Sequence, residues 1–173
     1  KTASQIGNFY DKNLPRYALI KEEIDTMATN IATKFGIVKS DIIKAAIKGK
    51  ERTIEKALTE KGGDLLKVGD IARNTIIAKD FDQIGVIIQD LKKQGAPKAD
   101  FIKVPDAYGY TGGISRVDTP QGPGEIQVNI AEIIYGKELP QVAKNLLGEA
   151  RFNAIKKTAK VESGLGHKIY EEA

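Results

Sequence analysis

The sequence predicts one α/β domain, α+β in its order of elements, with a single mixed β-sheet flanked by helices over residues 1–173. Three observations predict it. Helical periodicities fill the start of the chain, an isoleucine-rich run at 71–78 stands alone between helices, and three short apolar segments separated by Gly, Pro and Asp follow it. Helices, strand, helix, three strands and helices, in that order, close most simply around one sheet. The length suits one full domain and is too short for two ordinary ones.

Tyr17, Ile20, Ile24, Met27 and Ile31 step by three and four, which marks an amphipathic helix ending near Gly36 within an N-terminal helical segment, 1–38. Ser40 reads as the N-cap of a second helix through Ile42, Ile43 and Ala46, weakened at Gly49. A third helix spans 51–60 and stops at Gly62-Gly63. Residues 71–78, opened by Asp70, are too short for a typical helix and rich in β-branched side chains, so they form a central strand. Asp80-x-x-Gln83 is a capping box, and the helix it opens carries Phe81, Ile84, Ile87, Ile88 and Leu91 on one face until Gly95-Ala96-Pro97. Strands follow at 101–104, 114–117 and 125–128. Pro140 starts a helix through Val142, Ala143, Leu146, Leu147 and Ala150, and a short terminal helix carries His167, Ile169 and Tyr170.

Composition removes several classes of chemistry. The chain has no cysteine and one histidine, His167, so a thiolate zinc site, a disulfide framework and a multi-histidine metal cluster are excluded. No apolar run approaches the roughly 20 residues of a membrane-spanning helix, so no membrane partner is expected. A net charge of +4, with lysines spread along the chain, favours anionic ligands and fits a nucleotide and a longer nucleic acid equally. The chain begins at Lys1 rather than Met, as an excised piece of a longer protein would.

Glu125-Ile126-Gln127-Val128 is the most informative stretch. Side chains two apart on a strand share a face, so a carboxylate and an amide stand together where packing alone would favour valine at both positions. Asp70 adds a second carboxylate at the end of another strand. Two carboxylates at the ends of neighbouring strands, with Lys and Arg nearby, suit a magnesium-bound polyphosphate and point to phosphoryl transfer.

Four segments carry a family likeness. Ile47-Lys48-Gly49-Lys50-Glu51-Arg52-Thr53-Ile54, Asp70-Ile71-Ala72-Arg73, Phe101-Ile102-Lys103-x-Pro105-x-x-x-Gly109-Tyr110 and Gly124-Glu125-Ile126-Gln127-Val128 stand in an order and spacing that resembles RelA/SpoT-type synthetase domains, over roughly residues 40–172. The resemblance implies a RelA/SpoT synthetase-like nucleotidyltransferase fold and a Mg²⁺-dependent pyrophosphokinase that moves pyrophosphate from ATP to the 3′-hydroxyl of a purine nucleotide. It implies Asp70, Glu125 and Gln127 as catalytic residues, with Asp70 and Glu125 as ligands of Mg²⁺ and Glu125 alternatively the acceptor of the hydroxyl proton. It implies Lys48, Lys50, Arg52 and Arg73 on the ATP phosphates, Lys103 on the acceptor phosphate and Tyr110 stacked on the acceptor base.

The departures lie mostly on the acceptor side. Asp70-Ile71-Ala72-Arg73-Asn74-Thr75 replaces the usual Asp-Ile-x-Gly-x-Arg, Thr111-Gly112-Gly113-Ile114 lacks the usual histidine, and Asn129 and Ala46 stand where arginines are expected. This version, with its late His167-x-x-Tyr170-Glu171, is more similar to RelA/SpoT-like domains at the ends of bacterial polymorphic and phage-borne toxins. Such relatives make adenosine-based alarmones or pyrophosphorylate RNA, which implies action in the bacterial cytoplasm, tRNA as an alternative acceptor and a cognate immunity protein as partner. An ADP-ribosyltransferase is a rival reading, although Glu125-x-Gln127 reverses the order of its Gln-x-Glu turn, and a non-catalytic nucleotide-binding module is another. Each site residue also has a plain structural role open to it: Asp70 as a turn residue, Lys48, Lys50 and Arg52 as a solvated helix face, Tyr110 as a packing aromatic, His167 as a structural hydrogen-bonder.

Overall fold

The computed structural model describes residues 1–103, 111–159 and 161–165. Helix α1 (Ala3–Lys34) runs 32 residues, starting a full four turns before Tyr17. Ile6 and Tyr10 continue the buried stripe upstream across Pro15, and Thr2 and Gln5 close a capping box, with Gln5 N donating to Thr2 Oγ1 at 3.2 Å and Thr2 N to Gln5 Oε1 at 2.9 Å.

The helix expected from Ser40 does not form. Ile42 and Ile43 instead make a two-residue edge strand, β1 (Ile42–Ile43), antiparallel to β2 (Arg73–Ala78) through Ile42↔Ile76 and Ile43↔Thr75. Two adjacent β-branched residues fit a pleated edge better than a helical turn. Helix α2 (Lys50–Glu60) follows from Gly49, which leaves Lys48 outside the helix. Asp70 likewise precedes β2 rather than opening it, and the ladder reaches back to Ala72 only through Glu125 N donating to Ala72 O at 3.0 Å.

The remaining elements are α3 (Phe81–Lys93), β3 (Asp100–Ile102), β4 (Gly112–Thr119), β5 (Gly122–Ile130), α4 (Ala131–Lys137), α5 (Pro140–Leu147) and α6 (Glu149–Thr158). Of the capping box expected at α3 one half forms, Gln83 N donating to Asp80 Oδ1 at 2.8 Å, while Gln83 Oε1 accepts from Lys79 N, one residue before the N-cap, at 2.8 Å. The helix expected from Pro140 through Ala150 is broken by Gly148, whose φ of 82° suits glycine, into α5 and α6. Helix α4 has no counterpart in the sequence reading. The expected terminal helix with His167 and Tyr170 lies outside the described residues, as do Val104, Gly109 and Tyr110.

Strand order is β1-β2-β5-β4-β3, so β5 takes the middle place and β2 lies beside it, parallel, with Arg73 opposite Glu125 and Thr75 opposite Gln127. Strand β4 pairs antiparallel on the other side, with Arg116 opposite Glu125 and Ile114 opposite Gln127. One face of the sheet carries Ile76, Ile126 and Val128 into the main core with Ile20, Ile24, Ile84 and Ile88 of α1 and α3. On the other, Ile77 joins a second cluster with Ala131, Ile134, Tyr135, Ala143 and Phe152 of α4–α6. Glu125 and Gln127 share that second face, past the edge of the cluster. Among the described residues no helix is long and apolar enough to cross a membrane.

Candidate active site

The site is built where the parallel strands β2 and β5 begin. Lys48 is fixed in its backbone, its N–H donating to Ile71 O at 2.8 Å and its carbonyl accepting from the Tyr10 hydroxyl at 2.7 Å. Its buried ammonium donates to Asp70 Oδ2 at 2.8 Å, and Lys56 of α2 reaches the same oxygen at 3.1 Å. Asp70 Oδ1 is buried and has no hydrogen-bond partner. Burial alone would raise the Asp70 pKa, but the hydrogen bond and charge of Lys48, aided by Lys56, hold it below the ordinary carboxylate value. For Lys48 burial wins, and its pKa is lowered despite Asp70.

Glu125 sits in a row of charge across three strands, Arg73–Glu125–Arg116, since directly opposed residues share a face. Gln127 Nε2 donates to Glu125 Oε2 at 3.1 Å, and Lys137 Nζ, on the last turn of α4, donates to Gln127 Oε1 at 3.0 Å. Burial raises the Glu125 pKa and the charge of Asp70 raises it further, against the opposing pull of Gln127, Lys56 and Lys137. Burial lowers the Lys137 pKa, with Glu138 and Glu125 pulling the other way.

Asp70, Gly69, Glu125 and Ile114 line an open hollow of about 320 Å³ ringed by Lys56, Lys61, Lys67, Lys98 and Arg116. Two carboxylates inside a ring of cations make a place for a metal-bound polyphosphate. No group of three or more His, Cys, Asp or Glu that could hold a metal by itself occurs among the described residues. The unpartnered Asp70 Oδ1 and the adjacent Glu125 fit Mg²⁺ that completes its coordination with phosphate oxygens and water.

The structure thus brings Asp70, Glu125, Gln127, Lys48 and Arg73 together at one strand end. Lys50 points away, paired with Asp11 of α1 at 2.8 Å on the surface. Arg52 is exposed on α2, one turn before Lys56 and on its face. Lys103 stands apart: it follows β3 beside Phe101, 5.6 Å from that ring, and lines a separate hollow with Phe81 and Val86 of α3. Tyr110 lies outside the described residues.

Sequence reasoning missed Lys56, Lys61, Lys67, Lys98, Arg116 and Lys137. Lys56 carried a signal, four residues after Arg52 on an expected helix. The others come together only through register and connectivity.

No family model matches the chain. The (p)ppApp synthetase toxin Tas1 of Pseudomonas aeruginosa (strain UCBPP-PA14) is 38% identical over 164 residues, 94% of this chain and 36% of Tas1, so the chain spans little more than a third of that protein's length. A crystal structure of the type VI effector Tas1 in complex with its immunity protein matches with a TM-score of 0.81 at 38% identity, covering 94% of this chain and 82% of that one. The small alarmone synthetase 1 of Bacillus subtilis bound to its product pppGpp has a TM-score of 0.59 at 16% identity, covering 95% and 89% of the two chains. A GTP pyrophosphokinase family protein from Streptococcus pneumoniae has a TM-score of 0.59 at 17% identity, covering 94% and 90%. At those identities the last two show a shared fold.

Proposed function

The chain belongs to the family of Tas1, the RelA/SpoT-like synthetase domains, and on that footing we propose that it transfers pyrophosphate from ATP to the 3′-hydroxyl of an adenosine nucleotide, as a toxin domain acting in the bacterial cytoplasm. The observation that carries this reading is the pairing of Asp70 and Glu125 at adjoining strand ends inside a ring of five cations. The (p)ppApp synthetase activity of Tas1 supports adenosine as acceptor, and its complex with an immunity protein supports a cognate inhibitor for this chain.

In this reading Lys56, Lys61 and Arg116 hold the triphosphate and offset the charge that builds on the leaving AMP. Lys48 keeps Asp70 ionised and fixed. Asp70 and Glu125 would hold Mg²⁺, which when bound neutralises phosphate charge and polarises the β-phosphorus. Where Glu125 is not a ligand of the metal it accepts the proton of the acceptor hydroxyl, its burial having raised its basicity. The 3′-oxygen bonds to the β-phosphorus, the bond from that phosphorus to the α,β-bridging oxygen breaks, and AMP departs with that electron pair. Arg73, directly opposite Glu125, faces the same reaction. Tyr110 remains our proposed acceptor contact and Arg52 an outer phosphate contact; Lys103 would reach the acceptor only from the hollow it lines with Phe81 and Val86, and Lys50 would reach phosphate only on leaving Asp11.

Incubation with ATP, Mg²⁺ and a panel of adenosine and guanosine nucleotides, NAD and tRNA tests this. AMP release matched by an adenosine acceptor heavier by pyrophosphate, and lost with EDTA, is the expected result. Pyrophosphate on tRNA or guanosine alone would replace the acceptor, nicotinamide release from NAD would replace the reaction, and nucleotide binding without turnover would reduce the chain to a binding module.

A further inference from the structure

Lys137 belongs to none of the motifs that mark the site, yet its side chain ends on them. Helix α4 leaves β5 directly and folds back, so that a residue ten positions after Gln127 meets it again, Lys137 Nζ donating to Gln127 Oε1 at 3.0 Å. Gln127 Nε2 in turn donates to Glu125 Oε2 at 3.1 Å. We propose that Lys137 is a positioning residue for the reaction, fixing Glu125 through Gln127; the inference rests on the pyrophosphate-transfer reading above.

The chemistry of the three groups makes the chain directional. An ammonium only donates, so the Gln127 carbonyl must face Lys137 and its NH₂ must face Glu125. Glu125 Oε2 is then occupied and Oε1 is left for the acceptor hydroxyl or the metal. Without the ammonium the amide is free to turn its oxygen toward the carboxylate, which repels it, and the catalytic oxygen loses its fixed bearing.

The anchor behind Lys137 is firm. Ile134 and Tyr135 of the same helix are buried against Phe152 and Ala143. The single hydroxyl proton of Ser163 is shared between Tyr135 O at 2.8 Å and Glu138 O at 3.0 Å, which holds the backbone on both sides of Lys137. The Tyr135 hydroxyl donates to Val161 O at 3.2 Å. A long lysine held at its base can set the angle of a side chain it touches. Lys137 also lies 3.9 Å from Glu138 Oε1, so a purely structural ion pair is the competing account.

Steady-state kinetics on K137M, K137R, Q127L and the K137M/Q127L double variant, with binding of a non-hydrolysable ATP analogue measured separately, decide between them. K137M is expected to lower kcat by about 10–100-fold, the scale on which small misplacements of a reacting group act. KM for ATP and analogue affinity should stay within about twofold. K137R should recover most of the rate, and the double variant should be no slower than Q127L, because both substitutions cut the same chain. Full kcat in K137M, an equal loss of analogue affinity, or additive losses in the double variant would overturn the proposal. Should K137M not fold, K137Q serves: its amide enforces no orientation, so a rate between wild type and Q127L supports the proposal and a wild-type rate overturns it. An inactive wild type overturns the parent reading along with this one, whereas an active wild type with an unaffected K137M overturns this one alone.

Discussion

Asp70 accepts from Lys48 at 2.8 Å and Lys56 at 3.1 Å on one oxygen, whereas Glu125 accepts from a neutral amide and stands in the field of Asp70. Burial acts on both, but the two lysines overcome it at Asp70 and nothing of that strength does so at Glu125. The folded pKa of Asp70 is therefore lowered and that of Glu125 raised. Asp70 contributes stability that is present above its unfolded pKa of about 3.9 and lost as pH falls through the lower folded value. Glu125 behaves oppositely: its contribution is present below its unfolded pKa of about 4.3 and lost as pH rises through the raised value, so the ionised form is a cost at neutral pH. Asp70→Asn and Glu125→Gln should each lower turnover by about 10²–10⁴-fold. Their stabilities should diverge. Asp70→Asn leaves buried Lys48 without its counter-charge and should cost on the order of 3 kcal/mol at pH 7, the low end for breaking a buried pair. Glu125→Gln should match or exceed wild type. Denaturant titration alongside the assay checks both, and two inactive variants of equal, reduced stability would mean that Glu125 is part of the scaffold rather than of the reaction.

At the scale of elements, the site depends on how closely α1 lies beneath β5. A Cβ built on Gly124 would sit 2.8 Å from Ile24 Cγ2 and 3.1 Å from Ile20 Cγ2, with the helix beyond unable to yield without shifting the core. Glycine at 124 thus sets the depth of the strand that presents Glu125. Gly124→Ala should destabilise by about 1–3 kcal/mol through overpacking, measured by the midpoint of urea unfolding, and should lower activity in the protein that remains folded. A neutral effect on both would show that the helix moves freely over the sheet. The same close packing explains what could be read beforehand. Strand β5 announced itself because Glu125 and Gln127 alternate with Ile126 and Val128, and α3 because Asp80 and Gln83 bracket its apolar stripe. Ser40 misled because a good N-cap residue precedes two isoleucines that pair with β2 instead. Helix α4 went unseen because Ala131–Lys137 is seven residues long, too short to show a period, and its partners in the second cluster come from α5 and α6. Four of the five cations around the hollow were invisible for a related reason. A sequence shows a lysine four residues from another, but not that Lys98, before β3, and Arg116, on β4, meet Lys61 and Lys67 over Glu125.

Across the whole molecule, hydrophobic packing is divided between two clusters, one between the sheet and α1 and α3, the other under α4–α6. The face of the sheet between the second cluster and α2 is left to polar groups, and it holds Arg73, Glu125, Gln127 and Arg116. Stability and chemistry thus lie largely in different places: Glu125 can lose its charge while both clusters stay intact, and Asp70 carries stability only through its pair with Lys48. This separation gives the toxin reading a sharp test. Expressed alone in a bacterial cytoplasm, the wild-type chain should stop growth, and the Asp70→Asn/Glu125→Gln variant, confirmed as soluble and folded, should not. The motive is the family likeness to a toxin together with the pairing of Asp70 and Glu125 inside the ring of cations. A pyrophosphokinase unopposed in the cell converts ATP to AMP with every cycle, so its effect grows with rate, and the cellular ATP pool should fall before growth does. A binding module acts by occupancy and would be indifferent to the loss of both carboxylates if ligand still bound. Arrest that persisted in the double variant would therefore assign the effect to binding. Normal growth with soluble, active wild-type enzyme would remove the toxin and leave a housekeeping alarmone synthetase on the same fold.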